Sequence, residues 1–132
     1  MSFSQSSLSI LACSDKKIKE LNRIHRRKNK VTNVLAWPAT SGFLYLGKIN
    51  NSTNRNNYLF LGDIAISYET CLREAWVQDA RFEKHCCKLL VHAILHLLGY
   101  NHDKSTHTIK MQLMENRVLN SVLTNRPKSN NI

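Results

Sequence analysis

The run His92-Ala93-Ile94-Leu95-His96-Leu97-Leu98-Gly99-Tyr100-Asn101-His102 constrains this chain more than any other stretch. Leu89, Leu90, Ile94, Leu97 and Leu98 form an apolar core face around the first two histidines, and the pattern predicts a helix over about 82–98. Residues four apart on a helix emerge on one face, one turn apart. His92 and His96 have that spacing. Gly99 stands where a helix C-terminus needs a residue able to take positive φ, so the chain can turn back and bring His102 to the same point. Three converging imidazoles leave the fourth position of a tetrahedral Zn²⁺ open, as catalytic zinc sites do. His92, His96 and His102 are therefore the candidate ligands for one zinc ion. His25, His85 and His107 lack such company and read as surface or packing residues.

In zinc metallopeptidases with this ligand spacing, a Glu follows the first histidine and acts as general base. Here the position is Ala93, and no carboxylate lies between His92 and His102. A peptidase or amidase would need a carboxylate from elsewhere. A phosphodiester fits better: it is anionic, its transition state gathers negative charge, and a metal with an arginine can stabilise that charge.

Charge points the same way. The chain of 132 residues carries a formal net charge of +10. Residues 15–30 alone hold eight basic and two acidic side chains, net +6. A local basic field of that strength favours a polyanion, either nucleic acid or an anionic membrane face, over a merely solvated helix face. Cys13, Cys71, Cys86 and Cys87 form no CxxC pair and no disulfide framework, which suggests a reducing compartment. No apolar run reaches the ~18 residues of a membrane span.

The remaining pattern predicts an α+β domain over 1–124, with a frayed tail over 125–132. Residues 8–13 read as a buried strand. Ser14-Asp15 offers an N-cap for a helix over 15–27, whose apolar stripe is Ile18, Leu21 and Ile24. Residues 31–37, 43–49 and 58–67 read as strands, and 68–79 and 105–123 as helices. A mixed sheet should thus pack against several helices, with the metal site on a helix of the C-terminal half and the turn after it.

Three segments resemble the YbeY family of rRNA maturation endoribonucleases. HAILHLLGYNHD, beginning at His92, is similar to the family's HGxLHLLGYDHE signature. LNRIHRRKNKVTNVLAWP, ending at Pro38, is similar to its LN-x-x-YR-x-KD-x-PT-[DN]-VLSFP segment, and LGDIAIS (61–67) to LGDI-[VA]-IS. Met111 followed by Glu115 fits its closing helix. The segments occur in the family's order.

The resemblance implies a mixed α+β fold holding one Zn²⁺ through His92, His96 and His102. It places the family's functional arginine on Arg26 and its LGDI aspartate on Asp63. It also implies single-strand-specific endonucleolytic cleavage of RNA, with roles in 16S rRNA 3′-end maturation and ribosome quality control. The partner is then ribosomal RNA or the small ribosomal subunit, and the location cytoplasmic. Arg26 is expected to meet charge above the metal, with Arg23, Arg27, Lys28 and Lys30 on the phosphate backbone. Asp63 is expected to be a bulge residue, and Trp37 and Tyr100 to be packed or to stack on an unpaired base. Departures from the family pattern are Ala93 for Gly, Asn101 for Asp, Ala36-Trp37 for Ser-Phe, Val31 for Pro, and a longer stretch between Pro38 and Leu61. The family's first strand and helix are expected to be missing before residue 8. A non-enzymatic ribosome-assembly factor with a structural metal is the alternative reading.

Overall fold

A computed structural model describes residues 6–39, 59–100 and 105–124. The elements are β1 (Ser6–Cys13), α1 (Asp15–Arg26), β2 (Val34–Pro38), β3 (Leu59–Ser67), α2 (Tyr68–Val77), α3 (Phe82–Leu97) and α4 (Ser105–Thr124). The expected strand at 43–49, the tail at 125–132 and His102 lie outside the described residues.

Among the described residues the sheet has the order β1-β3-β2, with β1 parallel and β2 antiparallel to β3. The α+β expectation therefore holds. Alternate residues of a strand face opposite sides of a sheet, and here both faces are covered. Ala36, Leu61 and Ile64 pack with Ala93 and Leu97 of α3 on one face. Leu35 and Ala65 pack with Cys13 and with Ile18 of α1 on the other. The helix carrying His92 and His96 is thereby fixed to the sheet through Ala93 and Leu97, both essentially buried. Fully burying a side chain such as Ile18 or Leu97 contributes about 2–3 kcal/mol. Met111 of α4 is fully buried as well.

Two helix starts are tied together. Ser14 Oγ accepts from Lys17 N at 3.2 Å and caps α1, while Ser67 is the N-cap of α2. Asp15, in the first turn of α1, accepts from Ser67 Oγ and Thr70 Oγ1, each at 2.6 Å. Arg73 donates to its second oxygen at 2.7 Å. These hydroxyl hydrogen bonds, then the arginine, hold the Asp15 carboxyl down at about 2. The network joins the ends of the two parallel strands β1 and β3 through the helices that follow them.

Gly62 marks a bulge. Ser7 pairs with Phe60 and Ser9 with Asp63, so β3 has one residue more than β1 between the pairs. Gly62 takes φ +144°, and a Cβ there would stand 2.5 Å from the Trp37 carbonyl oxygen. Asp63 sits beside this bulge and accepts a hydrogen bond from Ser9 Oγ.

Three local expectations need correction. Among the described residues β1 is an edge strand: Ile10 is 51% and Leu11 46% exposed, and of its own residues only Cys13 is buried. β3 covers one side of it, whereas a buried reading required cover on both faces. In α1 the apolar stripe fades, since Ile18 is buried but Ile24 is 54% exposed, and the buried polar residue Asn22 joins Ile18 instead. β2 begins at Val34 and not Val31, because Asn33 Oδ1 accepts from Val34 N and its amide donates to Glu74 at 3.0 Å. That side chain ties the preceding segment to α2, while the Asn33 carbonyl still accepts from Ser67 N at the end of β3 at 2.8 Å.

Candidate active site

α3 places His92 and His96 one turn apart, and their Nε2 atoms are 3.0 Å from each other. The rings meet edge to face at 76°, with centroids 4.6 Å apart. Glu115 reaches from α4 to His92 Nδ1. A carboxylate at that nitrogen makes it the protonated one and aims the Nε2 lone pair into the cleft, as the outer partners of metal-binding histidines do. Two nitrogens ligating one tetrahedral ion at ~2.0–2.1 Å stand about 3.3 Å apart. The pair is near that separation, so this donor set fits a divalent cation such as Zn²⁺.

The histidines line a cleft of about 680 Å³ between α1, β2 and α3. Arg26 closes α1 and projects into it, its guanidinium donating to the Ala36 carbonyl of β2 at 3.0 Å. Arg27 ends the helix in the left-handed conformation at φ +56°. Asn22 then holds the returning chain by donating to the Lys30 carbonyl at 2.9 Å. The tight turn brings Lys28 and Lys30 to the cleft wall, and Lys88, one turn before His92, stands on the opposite wall. Four cations thus face one carboxylate, Glu115, among the described lining residues. Such a site attracts an anion and offers charge where an oxyanion would develop.

Several sequence expectations fall elsewhere. Arg23 and Arg27 do not line the cleft, unlike Arg26, Lys28 and Lys30. Trp37 stacks on His25 at 4.5 Å and 14°, on the α1 face of the sheet. Asp63 lies at the strand bulge, outside the cleft lining. His85 is buried and sits 3.1 Å from Glu74, which also binds Asn33. Ala93 packs in the core and brings no acid or base to the cleft floor.

Two residues gain a place here that the sequence reading did not assign. In the sequence Glu115 stands out only as part of the Met111–Glu115 pair of the last helix. Met111, one turn earlier, is buried, and the four-residue spacing puts Glu115 on the same inward side. Lys88 had a similar signal, four residues before His92.

The family whose description is Endoribonuclease YbeY matches residues 2–123. The chain belongs to this family. It is 42% identical over 110 residues to the endoribonuclease YbeY of Paracoccus denitrificans, covering 83% of this chain and 62% of that protein. It is 37% identical over 123 residues to the YbeY of a Chelativorans strain, covering 93% of this chain and 70% of the relative. The chain spans 57% to 72% of the length of the curated YbeY relatives it matches. A solution structure of a Thermotoga maritima protein superposes with a TM-score of 0.53 at 21% identity, covering 96% of this chain and 78% of the other. That likeness shows the same fold.

Proposed function

We propose that this protein is a metal-dependent, single-strand-specific endoribonuclease acting in ribosomal RNA processing in the cytoplasm, including 16S rRNA 3′-end maturation and ribosome quality control. The observation that carries the reading is the pair of imidazole nitrogens aimed at one point of a cleft walled by Arg26, Lys28, Lys30 and Lys88. Its family membership supplies the reaction class. His92, His96 and, from the sequence spacing, His102 would hold Zn²⁺. The cation would supply a Lewis acid that polarises a phosphoryl oxygen and lowers the pKa of water.

The chain's own groups divide the remaining work. Glu115 holds His92 in one tautomer and orientation. Arg26, anchored on the Ala36 carbonyl, meets negative charge that develops on the phosphoryl oxygens. Lys28, Lys30 and Lys88 hold the backbone on either side, an attraction that is independent of sequence and weakens with salt. No described helix is long and apolar enough to cross a membrane.

Single-turnover cleavage of a single-stranded RNA by zinc-loaded protein tests this reading, beside a His96→Ala variant. Cleavage by the wild-type protein and its loss in the variant, together with loss of bound zinc, is the expected result. Cleavage surviving in His96→Ala would assign the activity to a contaminating nuclease. RNA binding without cleavage by either protein would favour the assembly factor.

A further inference from the structure

α3 carries a ridge that the active site uses only in part. Lys84, Lys88, His92 and His96 follow one another at four-residue intervals. Each interval rises ~6 Å, so the ridge extends ~18 Å along the helix. Its upper half is the pair of histidines. Its lower half opens into a second cleft of about 580 Å³, walled by α3 on one side and by Asn116 and Asn120 of α4 on the other. Lys88 lines both clefts and joins them. Arg81 and Lys84 supply two further exposed cations, and neither is ion-paired among the described residues. Asp79 is the one carboxylate among the described lining residues.

We infer that this second cleft binds the sugar–phosphate backbone of the same RNA strand, away from the bond to be cut. The inference rests on the endoribonuclease reading and extends it. Arg81, Lys84 and Lys88 follow at steps of ~4.5 and ~6 Å along the helix, close enough to neutralise neighbouring phosphates of an extended single strand without reading bases. Asn116 provides an amide that can both donate and accept, suited to phosphate oxygens and ribose hydroxyls. Lys88, at the junction, keeps the strand continuous from the histidines to Arg81. The enzyme should then hold long single strands more tightly than short ones, with the extra affinity located at Arg81 and Lys84.

The test is an Arg81→Ala/Lys84→Ala double variant, probed with oligoribonucleotides of about four and about twelve nucleotides. Both residues are exposed, and the Arg81 side chain makes no capping hydrogen bond, so folding is spared. A Lys110→Ala/Arg117→Ala variant, which touches neither cleft and lies outside the basic run of residues 15–30, removes the same charge as a control. Binding is read by fluorescence anisotropy and cleavage by single-turnover kinetics. For the long strand we expect a roughly tenfold loss of affinity and a log–log salt slope shallower by about 1.4. The short strand should bind as to the wild type, and the maximal cleavage rate should not change. An equal loss for both lengths, no loss for either, or the same loss in the control would overturn the second cleft. Wild-type protein that binds the long strand without cleaving it would count against the endoribonuclease reading alone, since anisotropy still reports on Arg81 and Lys84. Wild-type protein that binds neither strand would overturn both.

Discussion

Glu115 and His92 belong to different helices, α4 and α3, yet the carboxylate of one meets the Nδ1 of the other. The Glu115 side chain is only 12% exposed, so the contact is shielded from water. It decides which imidazole nitrogen carries the proton and which faces His96 across 3.0 Å. A helix with no metal chemistry of its own thus sets the orientation of a candidate ligand on its neighbour.

Replacing Glu115 by Ala should therefore weaken zinc affinity by about ten- to a hundredfold, the usual effect of losing an outer partner of a ligating histidine. Glu115→Gln should lie between, because its carbonyl oxygen can still accept from Nδ1. Competition with a chromophoric chelator measures both. Unchanged affinity in Glu115→Ala would show that the α3–α4 contact is only structural.

Arg26 should affect turnover more than binding. Loss of a preorganised donor to a developing oxyanion costs roughly a hundredfold in rate. Arg26→Ala should show that loss in single-turnover cleavage, with zinc content unaltered and RNA affinity modestly reduced, because Lys28, Lys30 and Lys88 remain in the cleft. Arg26→Lys should recover only part, since an ammonium cannot span the Ala36 carbonyl and a phosphoryl oxygen as a planar guanidinium does. Wild-type rates in Arg26→Ala would remove the residue from the mechanism.

Gly62 should tolerate no side chain. A Cβ would stand 2.5 Å from the Trp37 carbonyl oxygen and 2.9 Å from Leu97, on a backbone at φ +144° that only glycine adopts readily. Strain and overpacking together should cost about 3 kcal/mol in Gly62→Ala, read as a lower urea midpoint. The site should suffer as well, because Leu97 follows His96 directly. A midpoint within experimental error of wild type would show that β2 can shift away from the bulge.

Asp15 should set part of the acid limit of stability. Its folded pKa of about 2 lies below the value of ~3.9 in an unfolded chain. The stabilisation is thus complete above about pH 4 and is lost as pH falls towards 2. Asp15→Asn should cost about 1–2 kcal/mol at neutral pH, a figure kept small by the exposure of Arg73. The gap between wild type and variant in urea melts should narrow from pH 4 downwards. A gap that stays constant to pH 2 would mean that the carboxyl is not held by its charge.

Buried thiols should be slow to alkylate. Burial pushes Cys71 up to about 12, so almost no thiolate exists at neutral pH. Mass spectrometry after brief iodoacetamide treatment of the folded protein should find Cys71 unmodified. Rapid labelling there would mean that α2 opens readily.

The parts of this protein that the sequence alone determined are those with short-range causes. Helical periodicity and Gly99 specify α3 and place His92 and His96 on one face, and Gly99 indeed takes φ +99°. Ser14 announces the start of α1 because its hydroxyl satisfies the amide three residues on. The order of the family-like segments singles out Arg26 in the sequence, whereas its contact with the Ala36 carbonyl belongs to the fold. What only the tertiary structure decided is which element covers which. That Glu115 of α4 meets His92, that Arg26 leans on β2, that Trp37 stacks on His25 and not in the cleft, and that β1 pairs with β3 all depend on partners distant along the chain. A local pattern states which residues share a face of their own helix or strand, whereas the neighbour of that face is chosen by the packing of the whole domain. Lys88 shows the difference most simply: four residues before His92 it is an ordinary lysine of the sequence, and only the fold sets it between two clefts.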